Sequence, residues 1–313
     1  MAKQSYLTRT RFIVNPASAN GKTGRHWPKL WNTIGQHWPG KPDYRLTEAP
    51  GHATTLTRQA LSEGITTIIA VGGDGTLNEV VNGFLVDDKP VRPEAVLGML
   101  ELGTGGDFAR TLGMPREAVA AVEWLLQATP TPTDVGKATC RRLNGAPYTR
   151  YFLNILDFGL GGSVVQWVNS HSKTLGGTVT FLAGILVNLL TYTNKTVRYT
   201  IDSGAETTAR IDNFIVANAR YFGGGLFPAP MAAVDDGRLD GVIIGDISRW
   251  EAIRNLGRLR RGTHLEHPRI THHPLTALRA DSPETVYIDA DGELIGTLPL
   301  EVTVLPAAVK VLR

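Results

Sequence analysis

The segment TTIIAVGGDGTLNEVVNGFL, residues 66–85, decides the fold of this chain. Its first six residues are β-branched or apolar and predict a buried strand, while the apolar spacing over residues 77–84 predicts a helix. Gly72, Gly73 and Gly75 lie between the two and leave backbone N–H groups free to approach a phosphate. The order strand, glycine turn, helix therefore predicts a phosphate-binding loop, although a plain turn after a buried strand has the same pattern.

Asp74 lies inside this glycine turn and makes the prediction more specific. A carboxylate that faces a polyphosphate is repelled unless a cation lies between them. We therefore expect Mg²⁺, or water bound to Mg²⁺, at this loop.

The pattern around this segment changes in the middle of the chain. Strand-like and helix-like runs alternate up to about residue 127, which predicts a parallel sheet covered by helices. Short alternating runs follow and predict a mainly antiparallel β domain, interrupted by helices near residues 174–192 and 248–261. A length of 313 residues also favours two domains. The proline-rich stretch TPTPTDV indicates a boundary that gives domains 1–134 and 135–313.

Composition limits the classes of protein that this chain can represent. A single cysteine, Cys140, and an N-terminus without a long apolar core are typical of a reducing cytoplasm. The uncharged stretch 174–194 is diluted by glycine, threonine and asparagine, so it predicts a buried helix in preference to a membrane span. A net charge of +3 with a pI of about 9.0 is compatible with anionic surfaces and gives no reason to expect nucleic acid.

Five motifs together resemble the diacylglycerol kinase and sphingosine kinase family of lipid kinases. They are NPASANG at 15–21, GGDGTLNEVVNG at 72–83, ELGTGGDFAR at 101–110, DDGRLDG at 235–241 and DADGE at 289–293. They occur in the family's order and span nearly the whole chain. The resemblance implies an α/β N-terminal domain similar to phosphofructokinases and NAD kinases, a C-terminal β-sandwich domain, and ATP in the cleft between them.

The resemblance also implies the residues that contact ATP. These are Asn15, Pro16, Ala17, Ser18, Ala19, Thr47, Gly72, Gly73, Asp74, Gly75, Thr76, Leu77, Asn78 and Thr104. Asp107 resembles the acidic residue that helps Asp74 order water around Mg²⁺. One position departs from the family, because Gly106 stands where an asparagine is usual, and this loss of an amide puts a polar contact in doubt.

The carboxylates of DADGE are the candidates for the chemistry. A lipid hydroxyl needs a base to accept its proton as the bond to phosphorus forms. The resemblance implies that Glu293 accepts it, with Asp291 as either the base or its orienting partner. The sequence leaves these roles open, and Asp-Gly between two alternating runs also predicts a β-hairpin turn.

A second metal site is implied by DDGRLDG, where the resemblance suggests a structural Mg²⁺ held by Asp236 and by carbonyl groups near Ala233 and Arg238. The same residues would also suit a solvated turn. Further along, RWEAIRNLGRLRRG places Trp250 and several arginines on a helix that is either interfacial or packed on its own domain.

These features lead to one expected function and two rivals. We expect an ATP- and Mg²⁺-dependent lipid kinase in the cytoplasm, in peripheral contact with the inner membrane, that uses a membrane lipid as substrate. NAD kinase shares the GGDGT loop, but Asn78-Glu79 and GTGGDFAR favour the lipid branch. Gly106 motivates the second rival, a catalytically silent nucleotide- or lipid-binding protein. The sequence does not name the lipid, and a homodimer remains open.

Overall fold

Strands and helices alternate through the first part of the chain. The computed structural model describes residues 6–171 and 177–313, without the side chains of residues 177–182. The first elements are β1 (Thr10–Val14), α1 (Lys22–His37), β2 (Asp43–Leu46), α2 (His52–Ser62), β3 (Thr67–Gly72), α3 (Asp74–Phe84), β4 (Leu85–Val86), β5 (Lys89–Pro90), β6 (Val96–Glu101), α4 (Asp107–Leu112) and α5 (Ala118–Gln127). The predicted alternation is therefore present, and the decisive segment forms β3 and α3.

The strands of this part pair in parallel, in the order β2, β1, β3, β6. β1 and β3 are buried along their whole length, which explains why their sequences are almost continuously apolar. α1 packs an aromatic cluster onto the sheet, in which the rings of Phe12 and Trp27 lie 5.9 Å apart and those of Phe12 and Trp38 5.0 Å apart. The core thus holds the carboxyl ends of the strands in fixed register.

The second part consists mainly of strands. Its elements are β7 (Pro130–Arg141), β8 (Pro147–Phe152), β9 (Ile155–Gly159), α6 (Leu160–Ser170), α7 (Gly177–Thr191), β10 (Lys195–Ile201), β11 (Thr207–Ala217), β12 (Leu239–Gly245), α8 (Arg249–Arg261), a 3₁₀ turn (His264–Glu266), β13 (Ile270–Leu275), β14 (Ala277–Asp281), β15 (Tyr287–Ala290) and β16 (Glu293–Leu312). Pairs such as β9 with β11, β9 with β15, and β11 with β12 are antiparallel. Their buried faces enclose a core that contains Phe152, Phe158 and Phe214.

The division of the chain differs from the sequence expectation in two ways. One compact unit comprises residues 1–134 together with 306–313, and the other comprises residues 135–305. The last eight residues were expected in the second domain, but Lys310 and Val311 pair in parallel with Val96 and Leu97 of β6. In addition, the division between residues 134 and 135 lies inside the continuous strand β7, so the proline-rich stretch marks no break in secondary structure.

The apolar helix of the second unit is also less buried than expected. Leu189 of α7 is buried, whereas Leu186 is 58% and Leu190 48% exposed. Phe181 and Leu182, which belong to the same apolar run, lie outside the described side chains. No helix within the described ranges is long and apolar enough to cross a membrane.

Candidate active site

The predicted nucleotide residues gather at the carboxyl edge of the parallel sheet. Asn15 follows β1, Thr47 follows β2, Gly72 ends β3 and Glu101 ends β6. The register keeps these ends level, because Val14 pairs with both Leu46 and Val71 while Gly72 pairs with Glu101. This edge is where open parallel sheets bind their ligands.

The loop after β1 is tied to the loop after β3. The Asn15 side-chain amide donates to the Thr76 hydroxyl at 3.1 Å, and its oxygen accepts from the Ala17 N–H at 3.0 Å. The Ser18 hydroxyl closes the turn by donating to the Asn15 carbonyl at 3.0 Å, and Ala19 adopts a left-handed backbone with φ of 51°. Two of the predicted ATP-binding segments therefore form one structure.

The remaining residues of that prediction occupy different environments. Pro16 is half-buried, Ala17 and Thr104 are exposed, and Thr47 is half-buried with its N–H donating to the Val14 carbonyl at 2.8 Å. Leu77 and Asn78 are buried to 3% and 0% exposure because they lie on the inner face of α3. Burial of these side chains leaves the backbone as the route to a ligand in this conformation, and the expected contacts of both residues with ATP stay a prediction.

The two glycine segments touch backbone to backbone. The N–H groups of Leu102 and Gly103 donate to the Gly72 carbonyl at 2.8 and 3.0 Å. A Cβ at Gly103 would lie 2.6 Å from the Gly73 Cα, and one at Gly105 would lie 2.9 Å from an Asp74 carboxylate oxygen. Glycine is needed at these positions because side chains would separate the segments. We call residues 72–76 and 103–106 the glycine cradle.

Asp74 has a role within the fold that the sequence did not indicate. Its carboxylate accepts from the backbone N–H groups of Asp107 and Phe108, at 3.3 and 3.2 Å, at the start of α4. Asp107 is 4% exposed and accepts from the Arg110 guanidinium at 2.7 Å. Asp74 thus satisfies the free donors of a helix terminus, a structural role in addition to the expected one at a cation.

The two carboxylates beside the glycine cradle suit Mg²⁺, which usually takes one or two carboxylates and completes its shell with water and phosphate oxygens. A Cβ at Gly105 would lie 2.9 Å from an Asp74 oxygen and 3.8 Å from an Asp107 oxygen, so both carboxylates border the same glycine. No group of three histidine, cysteine or acidic side chains that could hold a metal ion occurs among the residues that the structure describes. Asp74 and Asp107 therefore fit a metal ion that takes part of its coordination shell from the nucleotide.

Glu101 is a site residue that the sequence analysis missed. One of its carboxyl oxygens accepts from the Gly103 N–H at 2.7 Å, and the other is buried without a hydrogen-bond partner among the described residues. Burial, reinforced by the nearby charge of Asp74, raises the pKa of Glu101 to about 8. The available signal was an acidic residue at the end of an otherwise apolar strand.

Glu101 also gives a physical reason for Gly106. Gly106 has a φ of 64°, and a Cβ at this position would lie 3.0 Å from the Glu101 Cγ and 3.4 Å from its Cδ. An asparagine there would have to displace the Glu101 side chain. The two residues therefore form a matched pair in which the carboxyl group of Glu101 takes up the space beside position 106.

In the second unit, DADGE forms the expected hairpin turn. Ala290 pairs with Glu293, and between them Asp291 and Gly292 have φ of 51° and 84°. Both central residues are left-handed, which Asp-Gly accommodates in a two-residue turn. The turn and the functional interpretation are compatible, since the hairpin presents its side chains at one end.

The hairpin gives its two carboxylates different surroundings. Asp291 accepts from the backbone N–H groups of Leu153, Asn154 and Ile155 at 3.1, 3.0 and 3.0 Å. The Glu293 side chain is 39% exposed and accepts from the Arg150 guanidinium at 2.6 Å. It also lines a cavity of about 370 Å³. Asp291 anchors the turn, while Glu293 pairs with Arg150 and is partly exposed.

A second pair of carboxyl groups lies beneath this hairpin. Asp157 of β9 and Asp289 of β15 are cross-strand partners and are 1% and 7% exposed. Neither oxygen of Asp157 and one oxygen of Asp289 have a hydrogen-bond partner among the described residues. Burial raises the pKa of Asp157 to about 7, and burial together with the charge of Asp157 raises the pKa of Asp289. Asp157 was missed, although a charge inside the apolar run of β9 was a visible signal.

The loop DDGRLDG has the geometry of a turn. The exposed carboxylate of Asp236 accepts from the Arg238 N–H at 3.0 Å, and Gly237 has a φ of 74°. Ala233 is half-buried and Arg238 is exposed. The structure accounts for this loop without a metal, so the expected Mg²⁺ site at these residues stays a prediction.

Two family descriptions match the chain in succession. The diacylglycerol kinase catalytic domain matches residues 9–138, and the YegS C-terminal NAD kinase beta sandwich-like domain matches residues 154–313. Together they match residues in both units described above, and the second matches more than half of the chain.

Curated relatives and solved structures agree with this assignment. The diacylglycerol kinase of Bacillus subtilis (strain 168) is 31% identical over 299 residues, which are 94% of this chain and 93% of the relative. That of Staphylococcus carnosus (strain TM300) is 29% identical over 291 residues, 93% of this chain and 90% of the relative. A crystal structure of a diacylglycerol kinase from Bacillus anthracis (strain Sterne) covers 97% of this chain and 96% of its own with a TM-score of 0.71 and 22% identity, which supports the fold alone.

Proposed function

Because the chain belongs to the diacylglycerol kinase family and is a kinase with an alcohol acceptor, we propose that it transfers the γ-phosphate of ATP to the hydroxyl of a membrane lipid such as diacylglycerol. The observation that carries the proposal is the glycine cradle at the carboxyl edge of the parallel sheet, where α3 begins. Its backbone N–H groups and the positive end of the helix dipole suit a polyphosphate.

In this proposal the nucleotide is held mainly by the backbone. Gly72, Gly73 and Gly75 allow the phosphates to approach the main chain, and the loop from Asn15 to Ala19 borders the same edge. The hydroxyl groups of Thr47 and Thr104 are available for polar contacts. Support comes from the hydrogen bond between Asn15 and Thr76, which fixes the first loop against the cradle.

Asp74 and Asp107 would hold Mg²⁺, directly or through water. When bound, the metal would supply charge neutralisation for the phosphate oxygens. The protein residues prepare the position, since Asp74 is fixed by the N–H groups of α4 and Asp107 by Arg110. These contacts hold the two carboxylates before a ligand arrives, which favours binding.

Glu293 is proposed as the proton acceptor, with Asp291 as the residue that positions the hairpin. The lipid oxygen forms a bond to the γ-phosphorus as the bond from phosphorus to the bridging oxygen of ADP breaks, and the hydroxyl proton passes to Glu293. The choice rests on the surroundings of the two carboxylates, because three backbone N–H groups donate to Asp291, whereas the Glu293 side chain is 39% exposed and accepts from Arg150 at 2.6 Å. These donors hold the Asp291 carboxylate against the backbone of residues 153–155, which suits a positioning role.

A lipid panel is the decisive experiment. The purified protein is incubated with labelled ATP and Mg²⁺ and with diacylglycerol, phosphatidylglycerol, a sphingoid base or ceramide in detergent micelles, and with NAD in a parallel reaction. Label in a lipid supports the proposal and identifies the acceptor, which would place the enzyme in phospholipid metabolism. Label only in NAD would contradict it, and ATP binding without any transfer would favour the silent binding protein.

The remaining parts of the proposal concern location and the second metal. A lipid acceptor requires peripheral contact with a membrane, which we propose occurs at the cytoplasmic face of the inner membrane. We also propose that Asp236, with carbonyl groups near Ala233 and Arg238, can hold a structural Mg²⁺. The acidic density of this loop motivates that site, and an unchanged melting temperature on adding Mg²⁺ to a protein stripped with a chelator would contradict it.

A further inference from the structure

The helix α8 forms well but buries little. It spans Arg249–Arg261 and begins with a capping box, in which the Ser248 hydroxyl accepts from the Glu251 N–H while the Glu251 carboxylate accepts from the Ser248 N–H. None of its residues is fully buried, and Trp250 is 70% exposed. A large exposed tryptophan on a well-capped helix is unusual for a helix that only covers its own domain.

The exposed side of α8 is strongly cationic. Trp250, Arg254, Arg258 and Arg261 are spaced by four, four and three residues, so they lie along one face, and all are exposed. None of these arginines is in an ion pair with another described residue. Half-buried Ile253 and Leu256 occupy other positions, so the helix has an inner apolar side and an outer side of tryptophan and arginine.

The neighbouring helix α7 adds exposed apolar area. α7 packs against α8, and the Asn194 side chain just after α7 donates to Asp246 Oδ1 at 2.8 Å and to the Ile247 carbonyl at 2.9 Å, just before α8. Leu186 and Leu190, four residues apart on α7, are 58% and 48% exposed. Two helices that pack against each other therefore both expose large apolar side chains, and α8 also carries a row of arginines.

We infer that the outer side of α8, with Leu186 and Leu190 of α7, docks this protein on an anionic lipid bilayer. We call these residues the α7–α8 surface. Tryptophan is suited to the interface between headgroups and acyl chains, while arginines are attracted to anionic headgroups. The inference rests on the proposed function, because an enzyme that phosphorylates a membrane lipid must bring its site to the membrane surface.

Charge argues against a second copy of this chain as the occupant. A two-fold interface brings the same patch of both copies together, so the arginine rows would face each other. Like charges in such an interface are destabilising, whereas an anionic bilayer neutralises them. The bilayer is therefore the partner whose chemistry complements both the apolar and the cationic parts.

The test is cosedimentation with vesicles. The full chain is mixed with vesicles of phosphatidylcholine that contain phosphatidylglycerol, and separately with vesicles of phosphatidylcholine alone. The variant R254Q/R258Q/R261Q is compared with K29Q/R45Q/R279Q, which makes the same charge change at exposed positions outside the α7–α8 surface. We expect the first variant to bind the anionic vesicles at least about 10-fold more weakly, while the control stays within about 2-fold of the parent chain, since each basic residue contributes to headgroup attraction.

Three outcomes would overturn the inference. The first is an equal loss of vesicle binding in both triple variants, and the second is a parent chain that does not bind phosphatidylglycerol vesicles. The third is a dimer, seen by sedimentation, that Trp250→Ser dissociates without any change in vesicle binding. Turnover of lipid in detergent micelles separates this inference from the proposed function. Activity in micelles without vesicle binding would contradict only the docking surface. Vesicle binding that depends on the arginines, without any turnover of lipid, would contradict only the proposed kinase function.

Discussion

The glycine cradle depends on close approach of the backbone, whereas the DADGE hairpin depends on the hydrogen bonds of its side chains. In the cradle the informative feature is the absence of side chains at the glycine positions, since a Cβ at Gly103 would lie 2.6 Å from the Gly73 Cα. In the hairpin the informative feature is the hydrogen bonding of two carboxylates only two residues apart, Asp291 and Glu293. The cradle should therefore be sensitive to added volume, and the hairpin to changes of charge and proton affinity.

The largest expected effect is at the hairpin. Glu293→Gln keeps the shape of the side chain but removes the proton acceptor, so turnover of lipid should fall by roughly 10²- to 10⁴-fold with little change in KM for ATP. Steady-state kinetics measures both. Glu301→Gln, at an exposed position of the same strand, is the control and should leave turnover unchanged. Activity of Glu293→Gln near that of the control would show that another group accepts the proton.

The cradle should respond to a single methyl group. Gly103→Ala places a Cβ against the backbone of Gly73, so we expect a loss of about 1–3 kcal/mol in the free energy of unfolding and weaker ATP binding by about 10-fold or more. Calorimetric titration with ATP and thermal unfolding measure the two effects.

Gly73→Ala is the matched control for the effect on stability, but not for ATP binding, because Gly73 itself belongs to the proposed phosphate site. A Cβ at Gly73 would meet its nearest atom at 3.5 Å, an ordinary contact, and its φ of −111° is open to any residue. Equal losses in the free energy of unfolding in both variants would mean that general disturbance of the loop, and not close backbone approach, causes the loss of stability.

Glu101 and Gly106 provide a finer test within the cradle. Gly106→Asn should weaken ATP binding because the new side chain must displace Glu101, and Glu101→Ala in the same chain should restore part of the loss. Residues in contact typically show interaction energies of about 0.5–3 kcal/mol in such a cycle. Additive effects, with no recovery in the double variant, would indicate that the two positions act independently.

The smallest expected effect concerns the buried carboxyl pair under the hairpin. The pKa of Asp157 in the folded protein, about 7, lies above the ordinary value for a carboxyl group, so the folded state binds more protons than the unfolded state. Its contribution to stability is present below the ordinary carboxyl pKa and is lost as pH rises through about 7. The free energy of unfolding should therefore fall between pH 5 and pH 8, and Asp157→Asn should reduce this fall by at least about 1 kcal/mol. Chemical unfolding of both proteins near the two pH values measures the difference. The same pH dependence in both proteins would contradict the raised pKa of Asp157.

The sequence indicated much of the scaffold and of the cradle. Helices near residues 51–63 and 248–261 were expected, and α2 and α8 occupy these ranges almost to the residue. The turn at Asp291 and Gly292 was also expected from local preference alone. The return of residues 306–313 to β6 was not, because parallel pairing between distant segments leaves no local pattern.

By itself, the sequence determined the elements that depend on neighbours along the chain: the strand, turn and helix at residues 66–85, the alternation of the first unit and the short strands of the second. Only the tertiary structure decided which side chains are buried and what they meet. Asp291 accepts from N–H groups more than 130 residues earlier in the chain, and Glu101 lies where a side chain at position 106 would be. Proton affinity and steric room depend on distances in space, which residue spacing does not encode.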